Sequence, residues 1–224
     1  MFAVAATAID PDNPLTGLSL GEQPDPAARP GWEVVEVRAA ALNHHDLWTL
    51  RGVGITADQL PMVLGCDAAG VTGDGREVIV HAVVGDPANG GGDETLDADA
   101  TLLSERYAGT LAERVAVPAA NLVPKPPSLS WEHAACLPTA WLTAYRMLFT
   151  RGELRPGERV LIQGAGGGVA TALLLLAKAG GLTVFVTSRS AERLAEATSL
   201  GADVVVASGA RLPERVHAVM ETVG

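Results

Sequence analysis

The sequence predicts an α/β fold in two parts, a β-rich first half followed by a parallel sheet wound by helices. Three observations carry that reading. In WEVVEVRAA, residues 32–40, Val35, Val37 and Ala39 alternate with Glu36 and Arg38, the period of a strand with one face buried. From residue 159 onward, short apolar runs and amphipathic stretches take turns: RVLIQ, GGVATALLLLAKAG, TVFVT, SAERLAEATSLG and DVVVA. Strand–helix alternation with short connections makes a parallel sheet with right-handed crossovers. Between the first of those strands and its helix lies QGAGGGVA, residues 163–170, a turn that lets the backbone approach a ligand closely.

Taken in order, the N-terminal MFAVAATAID lacks the basic region of a secretory leader. REVIVHAVV and LAERVAVP read as two further strands. Residues 85–110, rich in Gly, Asp and Glu and without an apolar period, read as a solvated excursion. Pro124, Pro126 and Pro127 fit neither a helix interior nor a central strand, so the boundary is expected there, between units 1–124 and 125–224. Ser130 is an N-cap for WEHAAC, and a second helix should restart near Pro138 and run through TAWLTAYRMLF. Ser190 caps the helix of SAERLAEATSLG, Gly201 follows its end, and RVHAVMETVG reads as a fourth strand.

Composition narrows the function. A net charge of −10 argues against a nucleic-acid partner. The longest apolar run, ALLLLAKAGGLTVFV, is broken by Lys178 and a glycine pair, short of the ~20 residues of a membrane span. Two distant cysteines, Cys66 and Cys136, fit a reduced, cytoplasmic protein. The chemistry begins at the glycine turn. Gly164, Gly166, Gly167 and Gly168, with Val169 in the first helical turn, would cradle a pyrophosphate at a helix N-terminus. The spacing Gly164, Gly167, Ala170 keeps a small residue where helix and strand pack. At the end of the next strand, VTSRSAER supplies Ser188, Arg189 and Arg193, and its first acid is Glu192 inside the helix. Hydroxyl and guanidinium donors suit a 2′-phosphate where a carboxylate would suit a free ribose, so NADP is the expected cofactor.

ALNHHDLWTLRG, LPMVLGCDAAGV, GTLAERVAVP, LSWEHAACLPTAWLTAYRML and GERVLIQGAGGGVA occur in that order along nearly the whole chain. As a set they resemble the medium-chain dehydrogenase/reductase superfamily, in its quinone oxidoreductase-like and zinc-type alcohol dehydrogenase-like branch. The resemblance implies a GroES-like, barrel-like catalytic domain, then a Rossmann domain, with a small-molecule substrate in the cleft between them. Zinc-dependent members carry Cys where this chain has Asn43, and His-Glu where it has Cys66-Asp67. The four cysteines of a structural zinc lobe are absent from GDPANGGGDETLDADA. Zinc favours thiolate and imidazole, and the neighbours His44 and His45 point apart, so no metal is expected.

Zinc-free members reduce enones or quinones with NADPH. By resemblance Asn43 would lie beside the nicotinamide riboside or the substrate carbonyl, Asp46 would orient a neighbour, and Thr143 would sit near the nicotinamide. Read from the residues alone, these are a turn amide, a helix cap and a helix-surface hydroxyl. Trp48, Trp141 and Tyr145 line a cleft or belong to the core, and Cys66 is a small buried residue. Two other functions stay open, a zinc-dependent alcohol dehydrogenase with unusual ligands and a non-catalytic NADPH-binding regulatory protein. Family members continue beyond the fourth strand and usually form homodimers, so this chain reads as the front part of a longer parent, carrying only the first half of its Rossmann sheet.

Overall fold

The computed structural model describes residues 1–27 and 29–223. The chain forms two compact units, Met1–Thr139 and Ala140–Gly224. In the first, β1 (Phe2–Ala6), β2 (Leu18–Glu22) and β4 (Met62–Val63) make a sheet in the order β2-β1-β4, with β3 (Trp32–Ala41) lying between β2 and β4 in sequence. β3 joins β5 (Asp67–Thr72), β6 (Glu77–Val80), β9 (Arg114–Pro118) and β10 (Leu122–Pro124) in an antiparallel sheet ordered β10-β6-β5-β3-β9. β7 (Val83–Val84) and β8 (Thr101–Leu102) pair as a short ribbon.

The alternation in β3 holds: Val35 is fully buried, and Glu36 and Arg38 are exposed. A bulge between Val37 and Ala39 shifts its register against β5. Opposite the bulge stands Gly70, where a Cβ would lie 2.2 Å from the Glu36 carbonyl oxygen, so only glycine fits. β5 is otherwise small because the sheet is covered on both faces. Ala68 packs with Val35, Val80 and Val117, and Ala69 packs with Ile79, Ala134 and Ala135. The excursion at 85–110 turns inward at its end, where Leu103 joins the core, so only its earlier part is solvated. α1 (His44–Leu50) follows β3, and α2 (Trp131–Ala135) is capped by Ser130, whose Oγ accepts from His133 N–H at 3.2 Å. Because α2 buries Ala134 and Ala135 against this sheet, the first unit runs to Thr139, past the prolines expected to end it.

In the second unit β11 (Arg159–Gln163), β12 (Thr183–Ser188), β13 (Val204–Ala207) and β14 (Ala218–Glu221) form a parallel sheet ordered β13-β12-β11-β14. α4 (Gly168–Ala179) and α5 (Ala191–Ser199) are the crossovers. Continuous apolar strands are those of a sheet covered on both faces, and Val160, Ile162, Val184 and Val186 pack with Leu173 and Ala177 of α4. Ser190 caps α5, accepting from Arg193 N–H at 3.3 Å, and Gly201 follows it at φ +104°. The expected helix after Pro138 departs from plain α geometry. α3 (Leu142–Tyr145) is a short α-helical piece between two π-helical stretches, Leu137–Trp141 and Arg146–Arg151, and Gly152 N–H bonds Met147 C=O at 2.9 Å, an i→i+5 step. Among the described residues no helix is long and apolar enough to cross a membrane.

Candidate active site: a glycine cradle and a buried carboxylate

The second unit carries a cavity of about 860 Å³ at the C-terminal ends of its parallel strands, where such sheets bind ligands. The turn below it is shaped by Gly164 (φ +86°) and Gly166 (φ +83°), left-handed conformations that other residues resist. α4 starts from Gly167 with no side-chain cap and no acid in its first turn, which leaves its N–H groups to an anion. Of the residues expected to hold a cofactor, Gly164, Gly167, Ser188, Arg189 and Arg193 line this cavity. Gly166, Gly168 and Val169 do not. Gly166 lies under the Arg193 side chain, Gly168 faces Ala140, and Val169 packs against the core. The Arg193 guanidinium donates to Ala165 C=O at 3.4 Å, which lays it across the turn. The far wall escaped the sequence reading: Ser208 and Gly209 follow β13, Glu221 ends β14, and Thr222 follows it.

In the first unit Asn43 begins α1. Its backbone N–H donates to Asp46 Oδ2 at 2.8 Å, and its Nδ2 donates to Asp67 Oδ2 at 2.9 Å. Thr139 donates to Asp67 Oδ1 twice, from its backbone N–H at 2.9 Å and from Oγ1 at 2.5 Å. Thr110 Oγ1 donates to the Asp67 carbonyl at 2.9 Å. Asp67 is 1% exposed and Asp46 6%. Burial pushes both carboxyls above the usual carboxylate range. The Thr139 and Asn43 donors oppose it at Asp67, and the Asn43 backbone N–H opposes it at Asp46. The N-cap of α1 is therefore Asn43, three residues before the expected Asp46, which takes the N3 place of the capping box and accepts from the Asn43 backbone N–H.

Thr143 lies in the other unit, an exposed hydroxyl on α3. Trp48 is half exposed and meets His44 edge-on at 5.5 Å, Trp141 packs on the second unit's core, and Tyr145 leans on Phe149. Asp67 entered the sequence reading only as an altered zinc position. Thr139 was not singled out, because its partner is 72 residues away and leaves no local signal.

A zinc ion does not fit the residues present. Asn43 presents an amide N–H to Asp67, and both Asp67 oxygens are already engaged. Burial, with the charges of Asp46 and Asp67, pushes the Cys66 thiol up and away from thiolate, and its Sγ donates to Leu103 C=O at 3.4 Å. His45 is buried beside Thr49 and Glu105. Among the described residues no three His, Cys, Asp or Glu side chains are grouped as a metal site.

The family model of the alcohol dehydrogenase GroES-like domain matches residues 29–127, and that of the zinc-binding dehydrogenase matches residues 168–224. A crotonyl-CoA reductase of Streptomyces avermitilis is 32% identical over 238 residues, covering 92% of this chain and 53% of the relative. A solved NAD-dependent alcohol dehydrogenase shares 36% identity at a TM-score of 0.83, over 93% of this chain and 64% of its own. The quinone oxidoreductase of Thermus thermophilus, solved also in complex with NADPH, shares 34% identity at a TM-score of 0.70, over 92% and 60%. The chain spans about half the length of the first two curated relatives it matches. A GroES-like unit followed by a Rossmann-type sheet, each matched by its own family model in that order, places the chain in the medium-chain dehydrogenase/reductase superfamily.

Proposed function

We propose that this chain belongs to an NADPH-dependent, zinc-independent oxidoreductase that delivers hydride to a small quinone, enone or related carbonyl compound in the cytoplasm. The observation that carries the reading is the end of β12, where Ser188 and Arg189 line the cavity and no carboxylate stands. Gly164 and Gly167 give a pyrophosphate its approach, the start of α4 faces it with N–H groups, and Arg189 and Arg193 receive a 2′-phosphate. The nicotinamide supplies the hydride; position and electrostatics are the protein's part. With no fitting metal site, a carbonyl is polarised by hydrogen-bond donors such as the Asn43 amide. The free thiols of Cys66 and Cys136 agree with a reducing compartment.

Arg189→Ala is expected to weaken NADPH binding about 10- to 150-fold, the equivalent of one charge-assisted bond of about 1.5–3 kcal/mol, and to leave NADH binding unchanged. Titration calorimetry with both cofactors checks this, and equal affinities in the parent protein would sink the NADPH assignment. Elemental analysis should find far less than one zinc per chain, with a chelator leaving the melting temperature unchanged. Stoichiometric zinc would favour an alcohol dehydrogenase instead. NADPH oxidation across a panel of quinones, enones and aldehydes tests turnover itself, and tight NADPH binding with none of these turned over would mean a non-catalytic binding protein.

A further inference from the structure

Asp67 opens β5 with a carboxylate buried among donors that lie far from it in sequence. We propose that Asp67 is a positioning residue: its carboxylate fixes the Asn43 carboxamide so that the second Nδ2–H is held out of the network, as the donor to a bound carbonyl oxygen. This rests on the hydride-transfer reading above and names how that site orients its acceptor.

The backbone of Asn43 is fixed by Asp46, whose Oδ2 accepts from the Asn43 N–H and whose N–H donates to the Asn43 C=O at 3.1 Å. The carboxamide is fixed by its Nδ2 bond to Asp67 Oδ2, with its side chain in the capping position at the start of α1. Which end of an amide is nitrogen follows from its partners. An ionised carboxylate only accepts, so the nitrogen turns to Asp67 and the oxygen to the helix. Asp67 cannot swing away to another partner, because Thr139 N–H and Oγ–H hold its other oxygen. Its neighbours Ala68 and Ala69 are fully buried in the sheet, which makes the support rigid. One Nδ2–H remains, and no acceptor is assigned to it among the described residues, while Asn43 itself is only half-buried. A donor pinned this way needs no reorganisation when charge develops on an oxygen in front of it.

The test is a swap. Asp67→Asn alone sets one amide nitrogen against another, and Asn43→Asp alone sets two carboxylates together, so both single variants should melt lower than the parent. The double variant Asn43→Asp/Asp67→Asn restores the hydrogen bond in the reverse direction and keeps a good capping side chain at position 43, but leaves no N–H there. Its melting temperature should return to near the parent's. Its kcat for 2-cyclohexenone with NADPH should stay about 100-fold or more below the parent's, the usual effect of losing one such donor, with KM for NADPH unchanged. In the parent without cofactor, NMR should show the two Asn43 side-chain protons exchanging with water at clearly different rates, a difference that Asp67→Asn abolishes. Recovery of kcat along with stability in the double variant would make the pair merely structural. Equal exchange of the two protons in the parent would overturn the Asp67 assignment whatever the activity. A parent that turns over none of the panel, with the two exchange rates still distinct, would instead overturn the hydride-transfer reading, and the carbonyl-donor role would fall with it.

Discussion

Gly70→Ala is expected to destabilise the first unit by about 3 kcal/mol, the upper range for overpacking a core. The added Cβ would lie 2.2 Å from the Glu36 carbonyl oxygen and 2.7 Å from Val35 Cγ1, in the third strand of a five-stranded sheet. Neither neighbour can yield, since Val35 is fully buried and Glu36 is held between β5 and β9. Relief would require β3 and β5 to part beside the bulge at Val37. Gly73→Ala is the control, because a Cβ there meets nothing within 4 Å. Urea unfolding of both variants checks the expectation, and equal midpoints would contradict it.

Asp67→Ala should cost the first unit a similar amount, about 3 kcal/mol, because it strands the Asn43 amide and the two Thr139 donors in a buried site. A pH dependence accompanies it. Burial holds the folded-state value of Asp67 above its unfolded value, with the charge of Asp46 adding to the effect. Over the interval between those two values the folded chain binds more protons than the unfolded one, so stability falls as pH rises, and it is level on either side. Asp67→Asn removes that dependence. The stability of the parent relative to Asp67→Asn should therefore decline as pH rises from about 4, and level off once the raised value is passed. Denaturant titrations of both proteins across pH measure the difference, and a difference growing with pH would show the opposite shift.

The parallel sheet was legible in the sequence because each of its parts is announced locally. RVLIQ and TVFVTS are continuous apolar runs, Ser190 caps one helix, and glycines end both. The face of β3 was equally plain from Val35, Glu36 and Arg38. β1 was not, since Ala3, Ala5 and Ala6 are small residues whose burial depends on partners elsewhere in the chain. The limit of the first unit depended on where α2 would dock, which Ala134 and Ala135 do not reveal by themselves. In the candidate site, the turn and the arginines were readable as a motif. Which glycines line the cavity follows from backbone angles at Gly164 and Gly166, while Ser208 reaches it from a loop with no period and Glu221 from the last position of β14. The Asp67 cluster was hidden for a simpler reason: hydrogen bonds to Asn43 and Thr139 span distances in sequence that no local pattern records.

The two π-helical stretches flanking α3 give that stretch of chain slack in its length. An i→i+5 bond, such as the one from Gly152 to Met147, takes in one more residue than the α-helical step. A residue removed from Arg146–Arg151 could be absorbed by reverting that turn to the tighter pattern, without spinning Ala144 and the helix before it around their axis. Two copies of such a helix that differ in length by one residue could thus keep the same side chains on the same face. Across this stretch, matching positions by counting residues is a poorer guide to equivalence than matching them by the hydrogen bonds they close.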